Sequence, residues 1–314
     1  MSRRRSSGAA LLAGAALVGA ALLGGCAIPA PGAATPTPAT AAPLSAAPSA
    51  TAGPSPSAPA ASAVLLEIVQ LRGDVASGHI ELRVTNETDA PLTVVRATYT
   101  SSRWSSPMVR DDDAEIPAGA RRNLRLALPE PTCDRAPLEH LATLELADGT
   151  VIEGAPEDPL GQLDSLGADA CELHDFETAV AEVAWLPPEI PLDGSGPAVL
   201  RLRFTPLAEP SPQRGTVEAI LATPLLAPVD GSGARADPLP IGVELRRGDR
   251  PTVVEVPLEP GRCDLHAIAE DKQGTIFRVL GTMGGEPIEL VLVSPVEQRD
   301  ALLDWAVERC RALG

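Results

Sequence analysis

Lysine and aromatic residues are scarce in this chain of 314 residues. Lys272 is the only lysine, and the aromatic residues amount to three Trp, one Tyr and three Phe. A hydrophobic core must therefore be built mainly from Val, Leu, Ile and Ala. The same scarcity argues against a surface on which sugars or bases stack on aromatic rings.

Acidic residues are absent from the N-terminal part of the chain. The sequence has 42 Asp and Glu against 25 Arg and Lys, a net charge of −17, and the only charged residues before Glu67 are Arg3, Arg4 and Arg5. An acidic surface repels phosphate backbones, so we expect no nucleic-acid partner. The acidity suits solubility outside the cell, and attraction of cations or basic partners is the alternative.

Common catalytic motifs are missing as well. The sequence contains no G-x-S-x-G, H-E-x-x-H, Walker loop or C-x-x-C string. Its histidines, His79, His140, His174 and His266, are scattered. We therefore predict no catalytic residue and no cofactor. A Ser-His-Asp set assembled from distant residues stays open, because such sets need no local spacing.

The N-terminus is organised as an export signal. Arg3 to Arg5 precede an uncharged run rich in Ala, Leu and Gly over residues 9–25, which suits the apolar segment of a signal peptide better than a transmembrane helix. Leu23-Gly24-Gly25-Cys26 follows and resembles the lipobox of bacterial lipoproteins. The resemblance implies a signal peptide over residues 1–25 and a diacylglycerol on Cys26 that anchors the mature protein to a membrane.

The segment after the lipidated cysteine has the composition of a linker. Residues 27–63 carry no charge and consist almost entirely of Ala, Pro, Ser, Thr and Gly. Such a segment cannot bury enough apolar surface to offset the entropy of ordering, so we predict a disordered linker over residues 26–63.

The remainder of the chain contains an internal repeat. Apolar segments of similar pattern recur in the same order in its two halves, with a turn glycine, Gly119 or Gly248, between the third and fourth. The paired segments are 63–69 with 179–183, 80–84 with 199–204, 93–95 with 217–220, 124–128 with 253–256, 130–134 with 259–264, and 149–152 with 274–277.

Each half then ends on a helix signal followed by a cysteine. Asp158-Pro159 precedes Cys171 and Ser294-Pro295 precedes Cys310, and proline is favoured at the first helical position behind such caps. Ser294 with Glu297 predicts a capping box. The predicted apolar stripe of the last helix is Val296, Leu303, Val307, Cys310 and Leu313.

The other segments alternate with period two and are separated by Gly, Pro and Asp, as strands of half-buried antiparallel sheets are. Several short strands per half predict a mainly β protein. Each half resembles an immunoglobulin-like β-sandwich with a short C-terminal helix. The predicted domains span residues 64–177 and 178–314.

Four cysteines remain after Cys26, and export favours disulfides. Because each repeat supplies one cysteine before and one within its terminal helix, we predict the pairs Cys133–Cys171 and Cys263–Cys310. The competing interpretation is a zinc site from the two C-x-x-H strings that begin at Cys171 and Cys263. Those strings occupy different places in the repeat, so we predict no metal site.

Some polar strings allow a binding role beside a structural one. Asp111 to Asp113 with Glu115 could bind calcium but lack the EF-hand pattern, so a solvated turn is favoured. Asp193 to Gly196 and Asp230 to Gly233 have turn composition, with a cation or sugar site as the alternative. Asn86-Glu87-Thr88 fits a glycosylation sequon, which we do not expect to be used in a bacterium. Trp104 is expected in the core, with an exposed contact as the alternative.

Together these features predict a lipoprotein on the extracytoplasmic side of the cell membrane. The expected role is a non-catalytic binding or scaffolding module whose partner is another envelope protein or a cell-wall polymer. The alternatives are an envelope hydrolase with a dispersed site and a module that captures calcium or a small ligand.

Overall fold

The computed structural model describes residues 63–134, 136–208 and 213–313. The predicted signal peptide, the lipidation site Cys26 and all of the linker except Ala63 lie outside the described residues. Within the described part of the chain, no helix has both the length and the apolar character needed to cross a bilayer.

The protein is mainly β, as predicted, and its strands form antiparallel sheets in two tandem sandwich domains. The elements of the first half are β1 (Val64–Val69), α1 (Arg72–Val75), β2 (His79–Asn86), β3 (Leu92–Ser101), β4 (Met108–Arg110), β5 (Ala114–Ile116), β6 (Arg121–Ala127), β7 (His140–Leu146), β8 (Val151–Gly154) and α2 (Leu163–Ala179). One sheet has the order β1-β2-β6 and the other β4-β3-β7-β8, with β5 also paired to β3.

The second half repeats this arrangement. Its elements are β9 (Ala181–Glu189), β10 (Ala198–Pro206), β11 (Arg214–Ile220), β12 (Leu226–Pro228), β13 (Leu239–Arg246), β14 (Thr252–Pro260), α3 (Leu265–Ala269), β15 (Ile276–Met283), β16 (Glu286–Val293) and α4 (Val296–Leu313). Its sheets have the orders β12-β14-β10-β9 and β13-β11-β15-β16.

The two halves share one strand order. Strands β1, β2 and β6 correspond to β9, β10 and β14, and β3, β7 and β8 correspond to β11, β15 and β16. Lettered along the chain, both halves have one sheet A-B-E and one sheet containing C-F-G, which is the immunoglobulin-like arrangement. The second half adds β12 beside β14. This common order supports the internal repeat.

One pair of segments in the predicted repeat is misaligned. Gly149 lies in the turn between β7 and β8, whereas Gly274 precedes β15, the counterpart of β7. The turn equivalent to Gly149 contains Gly284 and Gly285, and all three glycines have positive φ. The short Gly-Thr string recurs by composition and does not mark the same position in the two folds.

Each sandwich has its own core, formed by the alternating inward residues of its two sheets. In β10, Leu200, Leu202 and Phe204 are buried on one face and meet Val217 of β11 and Phe277 of β15. Burying a side chain of this size contributes about 1.5–3 kcal/mol. Aliphatic packing therefore supplies most of the stability, as the composition indicates.

Both predicted terminal helices exist, but α2 starts later than predicted. Gly161, with φ of 61°, forms a turn after Asp158-Pro159, and the helix begins at Leu163. The Asp158 carboxylate still caps it, accepting from the amides of Gln162 and Leu163 at 2.9 Å each.

In α4 the predicted apolar stripe is partly wrong. Leu302, Trp305, Ala306 and Cys310 are the buried apolar positions, whereas Val296 and Leu313 are exposed at the two ends of the helix. Leu303 and Val307 pack at the margin of the core.

The capping box predicted at the start of α4 is also wrong, because Ser294 is bonded to Gln298 and not to Glu297. The Ser294 hydroxyl accepts from Nε2 of Gln298 at 3.1 Å, while Glu297 is exposed. Gln298 lies on the buried face of the helix, which brings its amide to the cap.

Helix α2 connects the two cores instead of serving the first alone. Its residues Leu163, Leu166 and Ala170 pack in the first core. Further along the same face, Leu173, Phe176 and Ala179 pack in the second. The helix then runs into β9 after Val180, so the predicted boundary at 177/178 falls in its last turn.

Candidate functional site

Both predicted disulfides are present. Cys133 of the β6–β7 connection joins Cys171 of α2, and Cys263, which precedes α3, joins Cys310 of α4. The Cα–Cα separations are 5.5 Å and 5.3 Å. Because zinc requires free thiolates, these bonded sulfurs are not available as the ligands that the zinc alternative needs.

Two carboxylates of the acidic string after β4 form ion pairs with arginine side chains. Arg96 Nη1 lies 2.7 Å from Asp111 Oδ1, and Arg110 lies 3.8 Å from the Asp112 carboxylate. The described residues contain no group of three or more His, Cys, Asp or Glu side chains placed to hold a metal ion. The calcium alternative gains no support from this string.

Both Asp-Gly-Ser-Gly strings form turns. Asp193 Oδ1 accepts from the amide of Ser195 at 3.0 Å, and Asp230 Oδ1 accepts from the amide of Ser232 at 2.8 Å. Gly194 packs so closely on the end of α4 that a Cβ would lie 2.6 Å from the backbone nitrogen of Arg309. The turn that contains Asp193 and Gly194 therefore packs directly against the end of the last helix.

The sequon asparagine is a structural residue. Asn86 is fully buried, and its Nδ2 donates to the carbonyls of Ala90 and Ile116 at 2.9 Å each. Its Oδ1 accepts from the Thr88 hydroxyl at 2.6 Å. This side chain is inaccessible to a glycosyltransferase in the folded protein.

The histidines do not form a shared site in the described part of the chain. His140 Nδ1 lies 3.2 Å from the Tyr99 hydroxyl, and His266 pairs with Glu270 at 3.5 Å on the surface. Neither of the two cavities described below is lined by a histidine. The hydrolase alternative gains no support from their placement.

The larger of these cavities is a cleft of about 590 Å³ lined by residues of both sandwich domains and of α2. The first domain contributes Gln70, Arg72 and Val75, Trp104, and the segment from Leu128 to Pro131. The second contributes residues near Thr223 and the strand residues Ile276, Arg278 and Val291. Its volume is within the range of roughly 300–1,000 Å³ found for small-molecule sites.

Trp104 belongs to the core of the first sandwich and also lines the cleft. Its side chain is 7% exposed, and its indole N–H has no hydrogen-bond partner in the described part of the chain. Backbone bonds hold it in place: Trp104 pairs with Pro131, and the amide of Thr132 donates to the carbonyl of Arg103 at 2.8 Å. The prediction of a core position is correct, and the residue also borders the cleft.

The Cys133–Cys171 disulfide joins two walls of the cleft. Pro129 and Pro131 lie shortly before Cys133, and Ala170 and Leu173 flank Cys171 on α2. The bond therefore links the loop that supports Trp104 to the helix that lines the cleft.

Charged groups border the cleft from both domains. Arg72 has no ion-pair partner among the described residues, and Arg278 pairs with Glu289. Burial raises the pKa of the Asp169 carboxyl on α2, the nearby Arg278 lowers it, and Glu289 and Glu172 raise it. A ligand in the cleft would therefore meet two guanidinium groups and one poorly hydrated carboxyl.

The hydroxyls of the cleft are engaged in structural bonds. Ser165 Oγ donates to the carbonyl of Gln162 at 3.0 Å, and Thr223 Oγ1 donates to the carbonyl of Gly274 at 2.7 Å. The arrangement therefore offers side chains that can orient a ligand.

A second cavity of about 530 Å³ lies between the proline-rich end of β9 and the start of α4. Its lining is mostly apolar, including Trp185, Ile190 and Leu192. The Trp185 indole donates to the carbonyl of Val293 at 2.9 Å, so its polar atom is already used.

Sequence reasoning missed the cleft almost completely. Of its lining residues only Trp104 was singled out, because the others come from segments far apart in the chain. The one available signal was the predicted α2, whose apolar positions continue to the start of the second repeat without a linker.

No protein-family model matches the chain, and a search of curated proteins finds no match. Among solved structures, the chain aligns with red sea bream transglutaminase at 10% identity and a TM-score of 0.23, covering 74% of this chain. It spans about a third of the transglutaminase, 32% of that chain.

A second alignment is with the calcium binding domain CBD12 of CALX1.1, at 12% identity and a TM-score of 0.21. It covers 72% of this chain and 88% of that one. At such scores neither likeness carries an argument about function, and the description of the fold rests on the strand order given above.

Proposed function

We propose that the protein is a lipid-anchored, extracytoplasmic binding module of the cell envelope, and that the cleft between its sandwich domains is the binding site. The observation that carries the second part is the cleft itself, because its walls come from both repeats and from the helix that joins them. The lipobox ending at Cys26, the charge-free linker and the two disulfides support the location.

The chemistry of the cleft favours an amphipathic ligand. Trp104, Leu166 and Ile276 supply apolar contact, while Arg72, Gln162 and Arg278 supply polar groups at separate points. A peptide of an envelope protein or a fragment of a cell-wall polymer combines both characters. The proposed partner is therefore one of these two classes.

The anchor is tested by replacing the lipid acceptor. Full-length protein and the Cys26→Ser variant are expressed in the native host, and cells are separated into membrane and soluble fractions. We expect the wild type in the membrane fraction and the variant to lose the lipid and leave that fraction after processing. Wild type recovered in the cytosol with reduced thiols would disprove the proposed location.

The binding site is tested by photo-cross-linking in intact cells. A benzophenone amino acid is placed at Ser165, which is exposed and lines the cleft, or at Ser232, which is exposed in a turn outside it. We expect adducts with one partner at position 165 that are absent at position 232. Equal adducts at the two positions, or none at position 165, would count against the cleft.

A further inference from the structure

A buried acidic residue lies behind the first-domain wall of the cleft. Glu81 is in β2, the central strand of its sheet, opposite Val69 of β1 and Arg125 of β6. Its side chain is 8% exposed, and Oε2 has no hydrogen-bond partner among the described residues. A buried carboxylate oxygen without a partner is costly, so this group favours holding a proton.

A second buried carboxyl group, that of Asp74, contacts Arg125, the residue opposite Glu81 on the neighbouring strand. Asp74 of α1 is 5% exposed, and its Oδ2 accepts from the amide of Leu71 at 2.9 Å. Burial is the largest cause that raises the pKa of Glu81, and the charge of Asp74 raises it further. The two carboxyls therefore compete for the same compensating charge.

Arginines supply that charge only in part. Arg125 Nε lies 3.6 Å from Asp74 Oδ1, and the Arg125 side chain is 49% exposed. Arg125 and, to a smaller extent, Arg110 of β4 lower the pKa of Glu81. One half-exposed guanidinium therefore serves two buried carboxyls, and a proton would neutralise the remaining negative charge.

The remaining charged or titratable groups on this face belong to β2, to β1 and to β6, where Arg121 lies opposite Thr85. His79 lies two residues before Glu81 and Arg83 lies two residues after it, so all three are on the same face of the strand. Arg83 is directed to other partners, with Nε 3.1 Å from Asn123 Oδ1 and Nη1 3.9 Å from Glu67. The imidazole of His79, whose Nδ1 is buried without a hydrogen-bond partner among the described residues, is the other polar side chain here.

We propose that the buried Glu81 carboxyl holds a proton next to Asp74, and that losing it loosens residues 70–78, so that pH regulates the cleft. The inference rests on the proposed function, because it concerns the regulation of the same site. No step involves a change of covalent bonds beyond transfer of this proton to water.

The movement falls on α1 because the other partner is held more firmly. Glu81 is fixed in a strand bonded on both sides, whereas α1 has four residues. Gln70, Arg72 and Val75 of this segment line the cleft. Repulsion between two ionised carboxyls is therefore relieved by displacing the element that carries this wall.

Hydrogen–deuterium exchange of the full-length lipoprotein in detergent micelles tests the proposal without any ligand. Peptides covering residues 70–79 report the amides of Leu71 and Asp74, which are bonded to Asp74 Oδ2 and the Leu71 carbonyl. After correction for intrinsic exchange, we expect their protection to fall roughly tenfold as the pH rises from the ordinary carboxyl pKa of about 4.3 to well above it.

Glu81→Gln keeps the size of the side chain and removes the charge, so we expect protection in this variant to stay at the low-pH level throughout. Glu67→Gln, the same change on the neighbouring strand, should behave as the wild type. Protection that is independent of pH in the wild type would overturn the proposal. So would an unchanged pH profile in Glu81→Gln, which would show that the pH dependence does not come from Glu81.

Because this readout needs no ligand, its failure differs from failure of the proposed function. If exchange does not depend on pH but cross-links form at position 165, the binding site is supported and its regulation by pH is contradicted. If exchange depends on pH but no cross-links form, the response of residues 70–78 to pH is supported and the proposed ligand site is contradicted.

Discussion

The Arg309 guanidinium of α4 holds the Glu259 carboxylate of β14 through two hydrogen bonds. Nε lies 2.8 Å from Oε2 and Nη2 lies 2.6 Å from Oε1. Both side chains are only 17% exposed. Paired bonds of this kind are stronger than a single surface contact and fix the geometry of both partners. They tie the last helix of the chain to the sheet of the second sandwich.

We therefore expect Glu259→Gln to lower the free energy of unfolding by about 1–3 kcal/mol. The Arg309–Glu259 coupling is measured by a double-mutant cycle with Arg309→Gln in urea denaturation. Glu308→Gln is the matched control, because Glu308 pairs with Arg311 on the exposed face of the same helix. It should cost less than about 0.5 kcal/mol. Equal effects of the two changes would show that burial of the pair is unimportant.

Gly215 should not tolerate a methyl group. A Cβ there would lie 2.9 Å from Cε2 of Phe176 and 2.9 Å from Cγ1 of Val180, where α2 ends against the second core. We expect Gly215→Ala to destabilise the protein by about 1–3 kcal/mol through overpacking. Gly231→Ala, where no atom lies within 4 Å of the added Cβ, should change the melting temperature little. A neutral Gly215→Ala would mean that this helix end repacks freely.

Removal of either disulfide should destabilise its own domain. The bonds close loops of 38 and 47 residues, and the chain-entropy estimate for each is about 4 kcal/mol. Paired replacements, Cys133→Ser with Cys171→Ser and Cys263→Ser with Cys310→Ser, avoid free thiols. Thermal unfolding should show a loss for both, and only the first pair should raise exchange near Trp104.

Thiol titration of the denatured full-length protein checks the bonds directly. If both disulfides form and Cys26 carries its lipid, no reactive thiol remains. One reactive thiol per chain would contradict the lipidation, and two or more would contradict the disulfide assignment.

Stability should depend on pH through Glu81. Because burial raises the pKa of this carboxyl in the folded state, its stabilising contribution is fully present below the unfolded value of about 4.3. The contribution is lost as pH rises through the folded pKa. At about pH 7.5 we expect Glu81→Gln to unfold less readily than the wild type, by on the order of 1 kcal/mol. The two proteins should converge near about pH 4.

Urea denaturation at several pH values measures this difference, with Glu67→Gln as the control. A constant offset between Glu81→Gln and the wild type at every pH would show that packing, and not ionisation, distinguishes them.

Local chemistry determined much of what the sequence predicts correctly. Alternation of apolar residues places Leu200, Leu202 and Phe204 on one face of a strand, and positive φ at Gly119 and Gly248 agrees with the predicted turns. The repeat also indicated the cysteine pairs, because equivalent positions in two copies of one fold must find equivalent partners. These features depend on neighbours in sequence or on the copy itself.

Tertiary structure alone decided the rest. The apolar face of α2 looks like that of any terminal helix, and only packing divides it between two cores, from Leu163 to Ala179. The cleft and the approach of Asp74 to Glu81 arise from the way separate segments meet, and neither has a local signature. The start of α2 and the buried stripe of α4 differ from prediction for the same reason, since the surfaces on which each helix packs decide which residues it buries.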